Sequence, residues 1–469
     1  MQTNPTVTPD LALEMANFAQ QLRFEDIPRP VVECVKKLIL DQLGVMRVGA
    51  RATGVPELSA HVKKNAGASQ ASVLGYGFKA PAAQAAMVNG SMARAQDFDA
   101  LHERGIVHIT AGSLPQALAL SQYRGAVSGK EFLTAMVLGM EFMIRLGLSF
   151  KTSFLKTGRV TTLHQASFGG ALLGAKLLKL TPRATVSALG LAFGQISGNL
   201  QVTVEGTMLV RVLQGFAAQN AVQSVLLAEQ GLTGPERVFQ GEWGYFKSYH
   251  DNQYEPAGLL RDLGQVYELP DVSIKNYPCC FLSHFAIDAV LQLMREEGLT
   301  ASMTQSIRVG VTQGTFNVVC SPLATKQQPK TMEAALFSLP YCTAAALLAG
   351  EFGLPQMSLE AINNPEAQAL AQCIVPEVDE ALEREHGVGV GPSIVQVKLK
   401  NGGSLTRRVD YCKGHPKNPM TFDDCAEKFR RCNAFAQPSL DAAKVDALIA
   451  TVAQLESVED IQTVIEFMG

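Results

Sequence analysis

The chain has 469 residues, of which 47% are apolar and only 18% charged, with a net charge of −3 at neutral pH. Ordinary globular chains carry about 25% charged residues, so much of this surface is expected to be buried, inside a large helical core or between subunits. No Lys/Arg run offers the electrostatic footprint of nucleic-acid binding, and none of the nine cysteines forms a C-x-x-C pair, which leaves a zinc or redox motif without support.

Taken in chain order, the amino-terminal "MQTNPTVTPDLALEMANF" lacks a basic region followed by an apolar core, so no secretory signal is read there. Scattered cysteines in odd number fit reduced thiols and a cytoplasmic protein. Residues 9–50 read as helices, with Asp26 and Pro28 near a start and "VVECVKKLILDQLGV" apolar at three- and four-residue spacing. "EFLTAMVLGMEFMIRLGLSF" is greasy, but it contains Glu141 and Arg145, which favours a buried helix over a membrane span. "SLPQALALSQYRGA", "SFGGALLGAKLLKL", "ATVSALGLAFGQISGNL" and "GFAAQNAVQSVLLAEQGL" are helical in period and rich in small residues that allow close packing. Gly231 and "TGPERVFQGEWGYF" end this series in a loop. Beyond about residue 270 the character changes. "SIRVGVTQ" alternates like a strand, and "SIVQVKLKNGGSLTRRVDY" reads as a hairpin turning at Asn401-Gly402-Gly403. Helix-like stretches such as "YCTAAALLAGEF" lie between them, and from "FDDCAEKFRRCNAF" onward the pattern is helical again. The expected fold is mainly α. A large discontinuous all-helical domain takes residues 1–268 and 409–469, and a smaller α+β domain spans 269–408.

Two glycine-rich stretches fail as phosphate loops. "GAVSGK", Gly125 to Lys130, is one residue short and has Glu131 where Ser or Thr should hold magnesium. "GVGVGPS" at Gly387 is followed by no helix. The densest chemistry lies in "ARAQDFDALHERGIVHITAGSLP", which gathers Asp97, Asp99, His102, Glu103, Arg104 and His108 within twelve residues. Carboxylates and imidazoles are metal ligands, yet this spacing is not diagnostic of a metal. Glu103 reads as a solvated loop acid. Arg211, alone in the apolar "MLVRVLQGF", needs a partner if buried, either a substrate carboxylate or a structural acid. The Lys428–Arg430 face reads as solvated, His61, His250, His386 and His415 as surface or loop residues, and Cys280 as a buried thiol.

Several stretches, in order over about 430 residues, resemble the MmgE/PrpD family: "LILDQLGV", "VNGSMARAQDFD", "HITAGSLPQALAL", "SFGGALLGAKLLKL", "IKNYPCCFLSHFAIDAV", "EAALFSLPYCTAAALLAGEFGL" and "GHPKNPMTFDDCAEKFR" among them. The resemblance implies a helical domain with an α+β lid, usually a homodimer. It also implies an active site between the two that handles a small carboxylate metabolite without metal or organic cofactor. Known activities are 2-methylcitrate dehydratase, cis-aconitate decarboxylase and iminodisuccinate epimerase. Carried over residue by residue, the family's "DFDD" falls on Asp97-Phe98-Asp99, its following histidine on His108, the lysine of "K-x-Y-P" on Lys275 and the later histidine of that motif on His284. A loop one residue longer makes His102 and Arg104 additional candidates. The implied catalytic set is Asp97, His108, His102 and Lys275, with Asp99, Arg104, Arg211, His164 and Cys280 toward the substrate. His108 is expected as general acid/base, with Asp97 orienting it.

Departures are equally specific. Arg94 stands where the family often has histidine. In "VRVLQG", Val210 and Leu213 replace a lysine and a histidine, and Cys280 takes the place of the decarboxylase's second histidine after "Y-P". These changes point away from cis-aconitate decarboxylase and toward a lyase or isomerase of altered specificity. The alternative is a homologue that binds small acids without turning them over.

Overall fold

The computed structural model describes residues 10–152, 157–387 and 390–468. The first nine residues of the stretch read for a signal, and Val388 and Gly389 of "GVGVGPS", lie outside them.

The fold is mainly α, with a small α+β part. The helices used below are α1 (Arg29–Gly49), α2 (Ala82–Arg94), α3 (Leu114–Arg124), α4 (Gly129–Leu148), α5 (Thr161–Leu177), α6 (Leu209–Glu229), α7 (His284–Glu297), α8 (Leu339–Ala349) and α9 (Phe422–Phe435). Their boundaries follow local chemistry. Pro28 precedes α1, and Pro115 occupies the first turn of α3, where no N–H is lost. Ser128 with Glu131, and Thr421 with Asp424, close the amino ends of α4 and α9 as reciprocal capping boxes.

One hydrophobic cluster runs from Leu11 to Ile274 and resumes from Met420 to Met468; a second runs from Tyr277 to Cys412. The first is built by helix crossings on small residues. A Cβ placed on Gly215 of α6 would lie 2.1 Å from the Met87 carbonyl oxygen of α2, so glycine there is what lets the backbones touch. The greasy α4 is buried, and its Glu141 and Arg145 pair with each other, 2.8 Å from Nε to Oε1. Among the described residues no helix is long and apolar enough to cross a membrane.

The second cluster covers a four-stranded sheet in the order β4-β3-β5-β6, comprising β3 (Thr304–Val311), β4 (Ile374–Val378), β5 (Ser393–Leu399) and β6 (Ser404–Val409). β3 is parallel to β4 and antiparallel to β5, and the expected hairpin is β5–β6, with Gly402 at φ +90° in its turn. α7 and α8 pack beside the sheet. The sequence reading passed over β4 and the small hairpin β1 (Ala71–Val73) with β2 (Phe78–Ala80). Strands of three and five residues are too short for alternation to register. All nine cysteines are free thiols.

Candidate active site

α2 ends at Arg94, and the chain turns so that Asp97 takes up a left-handed backbone at φ +48°. Aspartate tolerates this conformation better than most residues, and such strain clusters at functional sites. The turn brings the Asp97 carboxylate back onto the Arg94 guanidinium three residues earlier. Asp99, two residues on, receives His108: Nδ1 lies 3.0 Å from Asp99 Oδ2. The imidazole's other nitrogen, Nε2, is 3.2 Å from an Arg94 nitrogen. Since guanidinium can only donate, Nε2 is the acceptor and Nδ1 carries the hydrogen. The His108 backbone N–H donates to Thr162 Oγ1 in the first turn of α5, at 3.0 Å.

Distant segments close the other side. Leu101 and Ser273 exchange both backbone hydrogen bonds, at 2.9 and 2.8 Å, and Ile274 N–H donates to Gly414 O at 2.9 Å. A Cβ on Gly414, at φ +94°, would stand 1.8 Å from the Ile274 carbonyl oxygen, so glycine makes that approach possible. Lys275 is thereby delivered under Asp97, with Nζ 2.6 Å from Oδ1 and 2.8 Å from the Asp97 carbonyl oxygen. Lys428 of α9 completes the anchor. Its ammonium donates to Phe98 O and Lys275 O at 2.9 and 2.7 Å, pairs with Asp41 of α1 at 2.6 Å, and lies 3.6 Å from the centre of the Phe98 ring. The expectation that Lys428 is solvated is therefore corrected: it is 1% exposed, and only Arg430, paired with Asp446, faces solvent. Helical periodicity placed Lys428 on a face but could not show that α9 turns that face inward.

The electrostatics follow from burial and pairing. Burial pushes the Asp97 carboxyl up, but Arg94, Lys275 and His108 outweigh it and hold it well below the ordinary carboxylate value. Asp99 is likewise lowered, His108 and Arg94 overcoming burial. Burial and the Arg94 charge lower His108 against the pull of Asp99, so its imidazole is neutral at neutral pH. Burial raises the Cys280 thiol to about 11. It is half-buried, more open than the sequence reading expected. The side chains of Arg94 and His108 are 20% and 17% exposed, whereas those of Asp97, Asp99 and Lys275 are 3% or less. Arg94, His108 and Cys280 therefore form the accessible side of the cluster, and the carboxylates and Lys275 lie behind them.

Of the candidates read from sequence, Asp97, Asp99, His108 and Lys275 come together, and the charges of Asp97, Lys275 and Arg94 are felt at the Cys280 thiol. It is Asp99, not Asp97, that contacts the His108 ring. His102 lies in the same loop but bonds elsewhere. Its Nδ1 accepts from Gly105 N–H at 3.0 Å, and burial lowers it to about 4. Arg104 is exposed and pairs with Glu268 at 2.7 Å. Glu103, expected in solvent, is half-buried and accepts from Ser273 Oγ at 2.6 Å. Arg211 takes a structural acid: its Nε lies 2.7 Å from Glu333 Oε1, with a further bond to the Ala95 carbonyl. His164 packs against Tyr245 and Tyr249, its Nδ1 3.2 Å from the Tyr245 hydroxyl. His250, expected at the surface, is buried against the same hydroxyl. The sequence reading noted Arg94 only as a departure; its position between both aspartates and the histidine was the signal missed.

Asp97, Asp99 and His108 offer ligand atoms within 4.8 Å of one another, as do His102, Glu268 and Asp271. In each group an arginine already holds the acids: Arg94 sits on Asp97 and Asp99, and Arg104 on Glu268 and Asp271. A divalent ion would have to displace that guanidinium, so neither donor set fits a metal as it stands.

Residues 13–257 match the MmgE/PrpD N-terminal domain and residues 277–457 the MmgE/PrpD C-terminal domain. The chain is 28% identical over 477 residues to a cis-aconitate decarboxylase of Aspergillus terreus, covering 97% of this chain and 95% of that one. It is 26% identical over 485 residues to a cis-aconitate decarboxylase-like protein of Aspergillus oryzae, covering 100% and 99%. Over 466 residues it is 25% identical to the Mus musculus cis-aconitate decarboxylase, covering 95% and 90%. With both domains matched in order across nearly its whole length, the chain belongs to the MmgE/PrpD family, and the relatives named here are lyases of that family.

Proposed function

We propose that the protein moves a proton next to a carboxylate of a small di- or tricarboxylate, as a lyase or isomerase that needs no cofactor, with His108 as general acid/base. The observation that carries this reading is the triad of Asp99, a neutral His108 and Arg94, with the His108 and Arg94 side chains reachable from solvent and Asp99 buried behind them. Asp99 fixes the tautomer that leaves Nε2 with its lone pair. Arg94 caps that lone pair. A substrate carboxylate competes for the same guanidinium, so binding uncovers Nε2 beside the acidic carbon. The charge that develops as the proton leaves is met by Arg94, with Lys275 acting through Asp97. Residues 269–408 serve as the lid of this site, and closure against the helical body excludes water.

Relatives named as cis-aconitate decarboxylases make a tricarboxylate the first compound to try. Val210, Leu213 and Cys280 in place of cationic or imidazole side chains favour substrates with fewer carboxylates as well. The test is a panel of small polycarboxylates incubated with the protein in deuterated water and followed by NMR. Solvent deuterium beside a carboxylate, or loss of water or carbon dioxide, is expected, and His108→Gln should abolish it while leaving the fold intact. Binding of the panel with no chemical change, or full turnover by the folded variant, would overturn the reading.

A further inference from the structure

Five basic and two acidic side chains line a 540 Å³ cleft on the helical body, and none of them belongs to the Asp97–His108 cluster. The bases are Arg23, Arg124, Lys130, Lys176 and Lys179, and the acids are Glu25 and Glu131. They arrive from separate segments: the turn before α1, the end of α3, the start of α4 and the end of α5.

The acids do not neutralise the bases. Glu131 is shared between Arg124 at 2.9 Å and Lys179 at 3.1 Å, and it also caps α4 by accepting from Ser128 N–H. Two cations on one carboxylate leave a surplus of positive charge, and hydrogen bonding there overcomes burial to bring Glu131 down to about 2. Glu25 takes Lys130 at 3.1 Å, and Arg23 is held by Asp26. Lys176 has no carboxylate partner among the described residues. Its ammonium rests on the Gln20 and Leu22 carbonyl oxygens at 3.3 and 2.6 Å, although half-buried. A desolvated ammonium held only by neutral oxygens is costly unless an anion completes its surroundings. The cleft includes Lys130 of "GAVSGK". Its helix amino end is already closed by Ser128 and Glu131, so the grip falls to side chains rather than to a phosphate loop.

We propose that this cleft is a binding site for a small, multiply charged anion, a phosphate ester or a polycarboxylate, separate from the reacting centre. Lys176, Lys179 and Arg124 supply the charge-assisted hydrogen bonds, and binding relieves the sharing of Glu131. Inorganic pyrophosphate and citrate, titrated into the full chain by calorimetry, test it. Saturable binding of either is expected, weakening as salt is raised. It should be about tenfold or more weaker in Lys130→Glu/Lys179→Glu and unchanged in His108→Gln. Lys130 and Lys179 are 52% and 68% exposed, so the fold should survive; should the double variant unfold, Lys179→Gln alone must still weaken binding. Pyrophosphate alone binding assigns the site to phosphate-bearing ligands, and citrate alone to carboxylates. Neither binding the folded protein, or equal affinity in the folded charge variants, overturns the proposal.

Discussion

Lys275 Nζ and Asp97 Oδ1 lie 2.6 Å apart although 178 positions separate them in the chain, and both side chains are almost completely buried. The pair joins the strained turn after α2 to the segment that leads into the second hydrophobic cluster. It therefore ties the site's carboxylates to the relative placement of the two halves of the molecule.

Removing one partner of such a pair leaves a buried charge uncompensated. Lys275→Met should cost about 3–5 kcal/mol in urea unfolding, and the double variant with Asp97→Asn should recover a large part of that loss. A single variant as stable as the parent would show that the pair carries no structural weight.

Asp99 and Arg94 pull the His108 imidazole in opposite directions. Asp99→Asn should shift the acid limb of the pH–rate profile to lower pH and reduce kcat by roughly 100-fold or more, because the tautomer is no longer fixed. Arg94→Gln should move the same limb to higher pH and raise KM. Shifts of the same sign in both variants would remove His108 from the role proposed.

Glu333 brings Arg211 of α6 together with Thr53, its Oε1 2.8 Å from Thr53 Oγ1. Because Arg211 is 1% exposed, Glu333→Ala strands a buried guanidinium and should cost about 3 kcal/mol by thermal or denaturant unfolding. Limited proteolysis should then cut first within residues 269–408.

Burial lowers His102 and His250 to about 4, and His164 and His284 to about 3. In the unfolded chain these imidazoles take a proton near pH 6.5. Between that value and about 4 the unfolded state binds more protons, so stability falls as pH falls through the window. At pH 5 each contributes up to about 2 kcal/mol of this loss. Urea midpoints at pH 7 and pH 5 measure it, and equal midpoints would contradict the burial of neutral imidazoles.

At the α2–α6 crossing, Gly215→Ala pushes a methyl group into the Met87 carbonyl and Ser91 Oγ. The expected cost is about 2–4 kcal/mol of unfolding free energy, with displacement of Arg94 visible as reduced activity.

Much of this architecture is written locally. The periods of α1, α4 and α6, the alternation of β3 and the Asn401–Gly403 turn each follow from a few neighbouring side chains. Asp97, His108 and Lys275 stand out through the family motifs they resemble, not through local pattern alone. The sequence could not assign their partners, because those come from elsewhere in the chain. Asp99 rather than Asp97 meets the imidazole because Asp97 turns left-handed toward Arg94 and Lys275. Arg211 meets Glu333 rather than open space, and Lys428 turns inward to Asp41 because α9 packs on α1. Periodicity specifies which face of a helix is apolar. Only the packing of one helix on another decides which buried charges meet, since that depends on close approaches at glycines such as Gly215 and Gly414.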